Sequence, residues 1–338
     1  MKKYLMISLV ILVSAFILCG AASAATVNTN SSSNKIIKVS TNNNPQGSAD
    51  IDGSRIVWTQ KDTSTGIWNI YVKNLDTGKK GKVLSSIDNQ YDPSISGTRI
   101  VWTQEDDSGK FNIWYKNIGT GNYGALSPSN INQENADISG NIAVWQQTNS
   151  SGFSKIYYKN IVTGAKGIVY SSSKSQNNPA ISGTRVVWEG IKNSKSVIYI
   201  KNLANGNSNI VQTSTNNQYK PDISGNRVVW SELVGIKYVV YVRNIVTNKG
   251  GIVKSSTYSQ YQPKISGTRI VWQEYNPSSG SYNIYVKNIA NNLKGWVYSS
   301  SKYQYPGVIS GINVVWTQSN LINTDYVKNL VKGTVKQL

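Results

Sequence analysis

Residues 90–104 read Gln-Tyr-Asp-Pro-Ser-Ile-Ser-Gly-Thr-Arg-Ile-Val-Trp-Thr-Gln, and this pattern recurs along the chain. Its marker glycine, Gly97, belongs to a series: Gly53, Gly97, Gly140, Gly183, Gly225, Gly267 and Gly311. The spacings are 44, 43, 43, 42, 42 and 44 residues. A tryptophan follows five residues after each glycine, at Trp58, Trp102, Trp145, Trp188, Trp230, Trp272 and Trp316. One structural position therefore accounts for seven of the ten tryptophans. Self-similarity at this period marks solenoids, propellers and related arrays.

Each repeat reads as four short strands. The first ends at Ile-Ser-Gly, and the second is Arg-Ile-Val-Trp-Thr-Gln, as at Arg99 to Gln104. The third is Asn-Ile-Tyr-Val-Lys-Asn, as at Asn283 to Asn288, and the fourth resembles Gly-Ile-Val-Tyr-Ser-Ser, at Gly167 to Ser172. β-Branched and aromatic residues fill the strands, with Gly, Asn, Ser and Pro between them. Valine precedes the tryptophan in all seven repeats, and the residue before that valine is also apolar. Successive strand residues face opposite ways, so this strand must be covered on both faces. A twisted four-stranded blade packed between two like blades meets that demand. The expected fold is all-β, a seven-bladed β-propeller with four antiparallel strands per blade; a solenoid is the structural rival. Residues 35–40 (Lys-Ile-Ile-Lys-Val-Ser) and 333–338 both look like fourth strands. One is surplus, and Ile36 to Val39 is expected to complete the seventh blade so that no loose edge remains.

Other positions recur. Gln46, Gln90, Gln133, Gln176, Gln218, Gln260 and Gln304 lie five before the first-strand Ile, and are read as amides satisfying backbone groups between blades. A ring of sugar-binding amides is the alternative. Lys73, Lys116, Lys159, Lys201, Arg243, Lys287 and Lys328 end the third strands, each two residues after an aromatic. Their stems are expected to lie along the rings with the cations in water. Sevenfold repetition would also make them a broad positive field for an anionic polymer. Arg55, Arg99, Arg185, Arg227 and Arg269, absent from two repeats, read as exposed.

The chain has 338 residues, 35 Lys and Arg against 16 Asp and Glu, a net charge of +19 and no histidine. The lack of histidine excludes Ser-His-Asp and Cys-His catalysis and imidazole zinc sites. No cofactor and no metal site is expected: there is no calcium loop, P-loop or dinucleotide fingerprint. Asp106-Asp107 reads as a solvated turn. Glu105, Glu189, Glu232 and Glu274 follow the tryptophans at slightly different offsets, without a spacing that identifies an acid/base pair.

Met1-Lys2-Lys3, the apolar run Tyr4 to Leu18 and the small residues through Ala24 read as a secretory signal peptide spanning 1–24. An uncleaved anchor and a lipidated Cys19, the only cysteine, are alternatives. Residues 25–35 read as a flexible linker, and 36–338 as the propeller. Asn30-Ser-Ser and Asn149-Ser-Ser match the short N-glycosylation pattern.

Pro93-x-Ile95-Ser96-Gly97-x-Arg99-Ile100-Val101-Trp102, with Ile113-Trp114-Tyr115-Lys116-Asn117-Ile118-x-Thr120-Gly121, resembles the TolB-type (PD40-like) propeller repeat. The closest variant is that of secreted and surface-layer propeller proteins of methanogenic archaea. The resemblance covers residues 36–338 and implies fold far more than activity, since propellers host many functions. The chain departs from TolB in having no separate N-terminal α/β domain, and in Ser-Gly where the repeat has Asp-Gly, Asp52-Gly53 excepted. Some relatives of the fold are polysaccharide lyases that use histidine and metal, chemistry this sequence does not match.

The expectation is a secreted or cell-surface, non-catalytic binding or structural propeller, not an enzyme. Its partner would be an envelope glycan or surface protein, not a nucleic acid, and nothing would span the membrane once the leader is removed. The alternative is a carbohydrate-active enzyme, a glycan lyase or hydrolase, using channel-mouth carboxylates. Glu189, Glu232 and Glu274 are its candidates, and they would need to converge about 5–10 Å apart.

Overall fold

The computed structural model describes residues 36–41, 43–319 and 321–330. The signal peptide, the linker, Cys19, Asn30 and the strand read at 333–338 lie outside the described residues. Among the described residues there is no helix, and none long and apolar enough to cross a membrane.

Val57 and Trp58 are neighbours on one strand, face opposite ways, and have no exposed surface. That is the condition the repeat imposes, and seven four-stranded antiparallel sheets satisfy it. Blade 1 contains β2 (Gln46–Asp52), β3 (Arg55–Lys61), β4 (Trp68–Asn74) and β5 (Lys80–Lys82), in that order. Blades 2 to 6 repeat it with β6–β9 (90–125), β10–β13 (132–168), β14–β17 (176–210), β18–β21 (218–252) and β22–β25 (260–296). Blade 7 has β26 (Val308–Ser310), β27 (Asn313–Gln318) and β28 (Thr324–Asn329), and its outer strand is β1 (Ile36–Lys38). Thus Ile36, Ile37 and Lys38 pair with Lys328, Val327 and Tyr326, and the chain's first described strand closes the ring.

Apolar packing sits between blades, not within them. Val57, Ile70 and Val83 of blade 1 pack against Ile95, Ile100 and Trp102 of blade 2. The same kind of set recurs at the other seams, as in Val144, Ile156 and Val169 against Ile181, Val186 and Trp188, except that an acid replaces the third-strand aliphatic where blade 7 meets blade 1. The seams between blades 1 and 2 and between blades 3 and 4 each bury a Trp and five aliphatic side chains, at about 1.5–3 kcal/mol for each aliphatic side chain. The tyrosine across the ladder stacks on the tryptophan. Trp188 and Tyr199 have centroids 5.6 Å apart at 12°, and Trp230 and Tyr241 are 5.7 Å apart at 13°. The outer strands are shorter than the sequence suggests. The one read at Gly167 to Ser172 is Lys166–Ile168. Val169 leaves the ladder after a last bond to Ile156 O and turns into the seam, fully buried.

A second set of contacts joins the blades at the channel. The backbone N of each marker glycine donates to the residue before the glycine in the preceding blade. The acceptors are Ser Oγ atoms, as in Gly225 to Ser182 at 3.0 Å, except that Gly97 donates to Asp52 Oδ2 at 2.6 Å. Gly53 donates to Ser310, which completes a circle of seven bonds. The marker glycines adopt φ of 57 to 61°, the left-handed region a side chain resists.

Candidate functional site: the central channel

The inner strands line a channel. They present an unpaired edge there, which is why Pro93, Pro179, Pro221 and Pro263, with no N–H, are tolerated in them. In blades 1 to 6 the residue just before this point is Ser48, Asp92, Asn135, Asn178, Lys220 or Gln262, with φ between 47 and 53°. Each lies at a β-bulge, where the ladder slips between the two strands. Bulges re-aim side chains, and left-handed non-glycine residues cluster at functional sites. All six line a cavity of about 340 Å³ at this mouth.

Two residues further on is the waist, one position per blade: Asp50, Ser94, Asp137, Ala180, Asp222, Lys264 and Val308, all but the buried Ala180 lining the channel cavities. Three acids and one base meet here in a chain of net charge +19. Ile95 N donates to Asp50 Oδ2 at 2.9 Å, Ile181 N to Asp137 Oδ2 at 2.8 Å, and Ile265 N to Asp222 Oδ2 at 2.7 Å. Each acid thereby staples the next blade. Asp137 also accepts from Ser94 Oγ at 2.8 Å. Lys264 Nζ is 3.6 Å from Asp222 Oδ1. Asp222 holds the Lys264 ammonium protonated above its usual range. Its side chain keeps 43% of its surface, as befits a group standing in a channel and not in packed core. Burial, with Asp137 adding to it, pushes the Asp50 carboxyl up to about 6. The waist can hold a cationic group among carboxylates, one of which titrates near neutral pH. Below it a second cavity of about 210 Å³ runs to the serine circle.

The residues singled out from sequence lie mostly elsewhere. Every Gln Oε1 accepts a backbone N–H of the third strand in the preceding blade, as Gln218 does from Ile198 at 3.0 Å. Gln218 Nε2 donates to Gln212 O and to Glu232 Oε2. Gln218→Ala is expected to destabilise the fold by about 2–3 kcal/mol, because it leaves several buried groups unpaired. Urea denaturation measures this, and a loss below about 0.5 kcal/mol would show that the amide is dispensable.

The third-strand cations are half-buried. Lys73, Lys159, Lys287 and Lys328 donate to the carbonyls of Val39, Leu126, Val253 and Val297 in the preceding blade. Lys116 Nζ lies 5.9 Å from the Tyr123 ring. Arg243 donates to Gln212 and Asn248. Lys201 is half-buried on the same strand position. Five of the seven stitch seams, and in six blades the ring two residues before the cation lies against the tryptophan.

Glu232 and Glu274 are buried between blades and do not line either channel cavity. Glu232 accepts from Trp230 Nε1, Ser214 and Gln218, and Glu274 from Trp272 Nε1, Lys254, Ser256 and Gln260. Glu189 faces the other side of its strand and accepts from Lys220 N and Asn178 Nδ2, both mouth residues. Burial pushes its carboxyl up. The three do not converge on one pocket. Among the described residues no group of three or more His, Cys, Asp or Glu is arranged to hold a metal ion.

The sequence reading missed the waist. Its signal is variability: the residue before the first-strand Ile changes charge from blade to blade, as does the mouth residue two positions earlier.

No protein-family model and no curated protein matches the sequence. Solved structures do resemble the fold. The β-propeller domain of the Trilobed protease from Pyrococcus furiosus superposes with a TM-score of 0.67 at 12% identity, over 87% of this chain and 98% of that one. That propeller is described as having an open velcro topology, whereas here β1 pairs with β28. An acylaminoacyl peptidase from Pyrococcus horikoshii gives 0.65 at 11%, over 87% of this chain and 54% of that one. A protein described as TolB from Agrobacterium tumefaciens gives 0.52 at 13%, over 77% and 97%. The chain thus spans about half the length of that peptidase. At these identities the likeness is one of fold, a TolB-like and peptidase-type propeller. The likeness runs against two expectations, a non-catalytic envelope binder and a chain outside enzymology, because several of the propellers that superpose on this one belong to peptidases or hydrolases.

Proposed function

We propose that this propeller takes part in peptide hydrolysis, admitting an unfolded peptide to its channel and holding the terminal ammonium at the waist. The observation that carries the reading is the cluster of Asp50, Asp137 and Asp222 inside the channel of a strongly basic chain. Cavities of about 340 and 210 Å³ suit a few residues of extended peptide, not a folded domain. The likeness to peptidase propellers favours peptide over glycan as the substrate of the hydrolytic alternative. With no histidine in the sequence, a Ser-His-Asp triad would be supplied by a second domain or chain. The leader read at 1–24 and the resemblance to secreted propellers of methanogenic archaea support a site of action outside the cell membrane.

Fluorescence anisotropy with a short unstructured peptide, labelled at its C-terminus, tests this. A free amino terminus is expected to bind at least tenfold tighter than the acetylated form. Binding should strengthen as pH rises through about 6, where Asp50 gains its charge, and Asp50→Asn should remove that dependence. Equal binding of free and acetylated peptide, or no saturable binding, overturns the proposal.

A further inference from the structure

Tyrosines from three blades form a continuous arc beside the channel mouth. Tyr219 and Tyr238 have ring centroids 5.9 Å apart, Tyr238 and Tyr261 5.3 Å, Tyr261 and Tyr282 6.0 Å, Tyr282 and Tyr303 5.7 Å, and Tyr303 and Tyr305 5.0 Å. The rings are half-buried until the last two, which expose 38% and 41% of their surface. Neighbouring planes are inclined by 48 to 69°. Tilted rings leave wedge-shaped clefts between them, not the flat platform on which a sugar ring lies. Burial pushes the Tyr219 and Tyr282 phenols up, so they stay neutral hydroxyl donors.

The arc belongs to one side of the ring and ends where the repeat breaks. The inner strand runs seven residues from Gln260 to Ser266 in blade 6, but in blade 7 only Val308–Ser310 remains. Tyr305, Pro306 and Gly307 replace the bulge there. Tyr305 lines a cavity of about 400 Å³ that shares Ser48, Ala49, Gln262 and Pro306 with the channel mouth. Exposed lysines stand at both ends, Lys220 next to Tyr219 and Lys302 next to Tyr303.

We infer that this arc is a docking track for a proline-rich peptide in the polyproline II conformation, with acidic residues at its ends, and that it feeds the channel. Such a chain has no internal hydrogen bonds, so its carbonyls are open to phenolic hydroxyls. Its pyrrolidine rings fit aromatic-lined clefts, and its order before binding reduces the entropy lost. The two end lysines select negative flanks. The inference rests on the peptide reading above and names its substrate class.

The test uses an N-acetylated peptide of about eight prolines, roughly 25 Å long at 3.1 Å per residue, flanked by glutamates and labelled at the C-terminus. Acetylation removes the ammonium, so binding at the waist does not contribute. The peptide should bind saturably, and a Gly-Ser peptide with the same flanks at least tenfold more weakly. Tyr261→Ala and Tyr282→Ala should each weaken binding tenfold or more, and Tyr261→Phe should retain most of it. Urea denaturation of each variant confirms that it is folded. Equal affinity for the Gly-Ser peptide, unchanged affinity in both alanine variants, or competition by a neutral oligosaccharide such as cellohexaose overturns the track. If only the free-amine peptide of the previous test binds, the track fails and the channel reading stands. If neither peptide binds, both fail.

Discussion

Asp325→Ile is expected to stabilise the protein at pH 8 and to flatten the dependence of its stability on pH. In six blades the third-strand residue facing the next blade is Ile70, Ile113, Ile156, Ile198, Val240 or Ile284. In blade 7 it is Asp325, with no exposed surface, at the seam closed by β1. Its Oδ1 accepts from Thr317 Oγ1 at 2.6 Å, while Oδ2 is buried without a partner. Burial pushes this carboxyl up to about 7. The folded state therefore binds the proton more tightly than the unfolded chain does. Stability is fullest below the ordinary aspartate range near pH 4, and falls as pH rises towards 7. At 1.36 kcal/mol per unit, about three units amount to roughly 4 kcal/mol. Asp50, raised to about 6, adds a slope of the same sign, so the difference between wild type and variant isolates Asp325. The cost of leaving Thr317 unpaired is one the fold already bears: Thr59 and Thr103 lie opposite Ile70 and Ile113, with buried hydroxyls and no partner. Urea denaturation followed by tryptophan fluorescence at pH 5 and pH 8 decides the matter. A variant less stable than wild type at pH 8 would show that the acid is needed at the seam.

Trp188→Ala should cost about 3–5 kcal/mol, the range for removing a large buried aromatic. Trp188 has no exposed surface. It stacks on Tyr199 and lies 5.8 Å from Tyr170, a second aromatic contact that most of the other seams lack. Such pairs add about 0.5–1.5 kcal/mol beyond burial. The side chain plugs the seam between blades 3 and 4 against Val144, Ile156 and Val169. A loss below about 1 kcal/mol in urea would show that the seam relaxes around the hole.

The fold was legible because its constraints are local and repeated. Valine before tryptophan states in two letters that both faces of a strand are covered, and the marker glycine states where the chain must turn left-handed. The closing strand was legible because Ile36 to Val39 repeats the outer-strand pattern with no blade before it. The site was not legible, for a physical reason. A channel gathers one side chain from each blade, so Asp50, Asp137, Asp222 and Lys264 become neighbours only after seven wedges close. The tyrosine arc is hidden in the same way. Tyr238, at the start of a third strand, bridges Tyr219 and Tyr261, which begin inner strands of successive blades. Of the conspicuous recurring charges, Lys73, Lys159, Lys287 and Lys328 are bound to carbonyls of the preceding blade, so a position that recurs around the ring serves the ring's own joints.

The circle of serine-to-glycine bonds has a consequence for how such a ring changes over time. Every link joins the same donor to nearly the same acceptor, and the link from Ser310 to Gly53 is of the same kind as the others. No blade is chemically first or last. Duplicating or deleting one whole repeat would leave each bond with a valid partner, so the ring can grow or shrink by copying without inventing a new contact. The specialised features, the acid at the seam and the tyrosines of blades 5 to 7, are then marks of individual copies that have diverged while the shared joint kept them interchangeable.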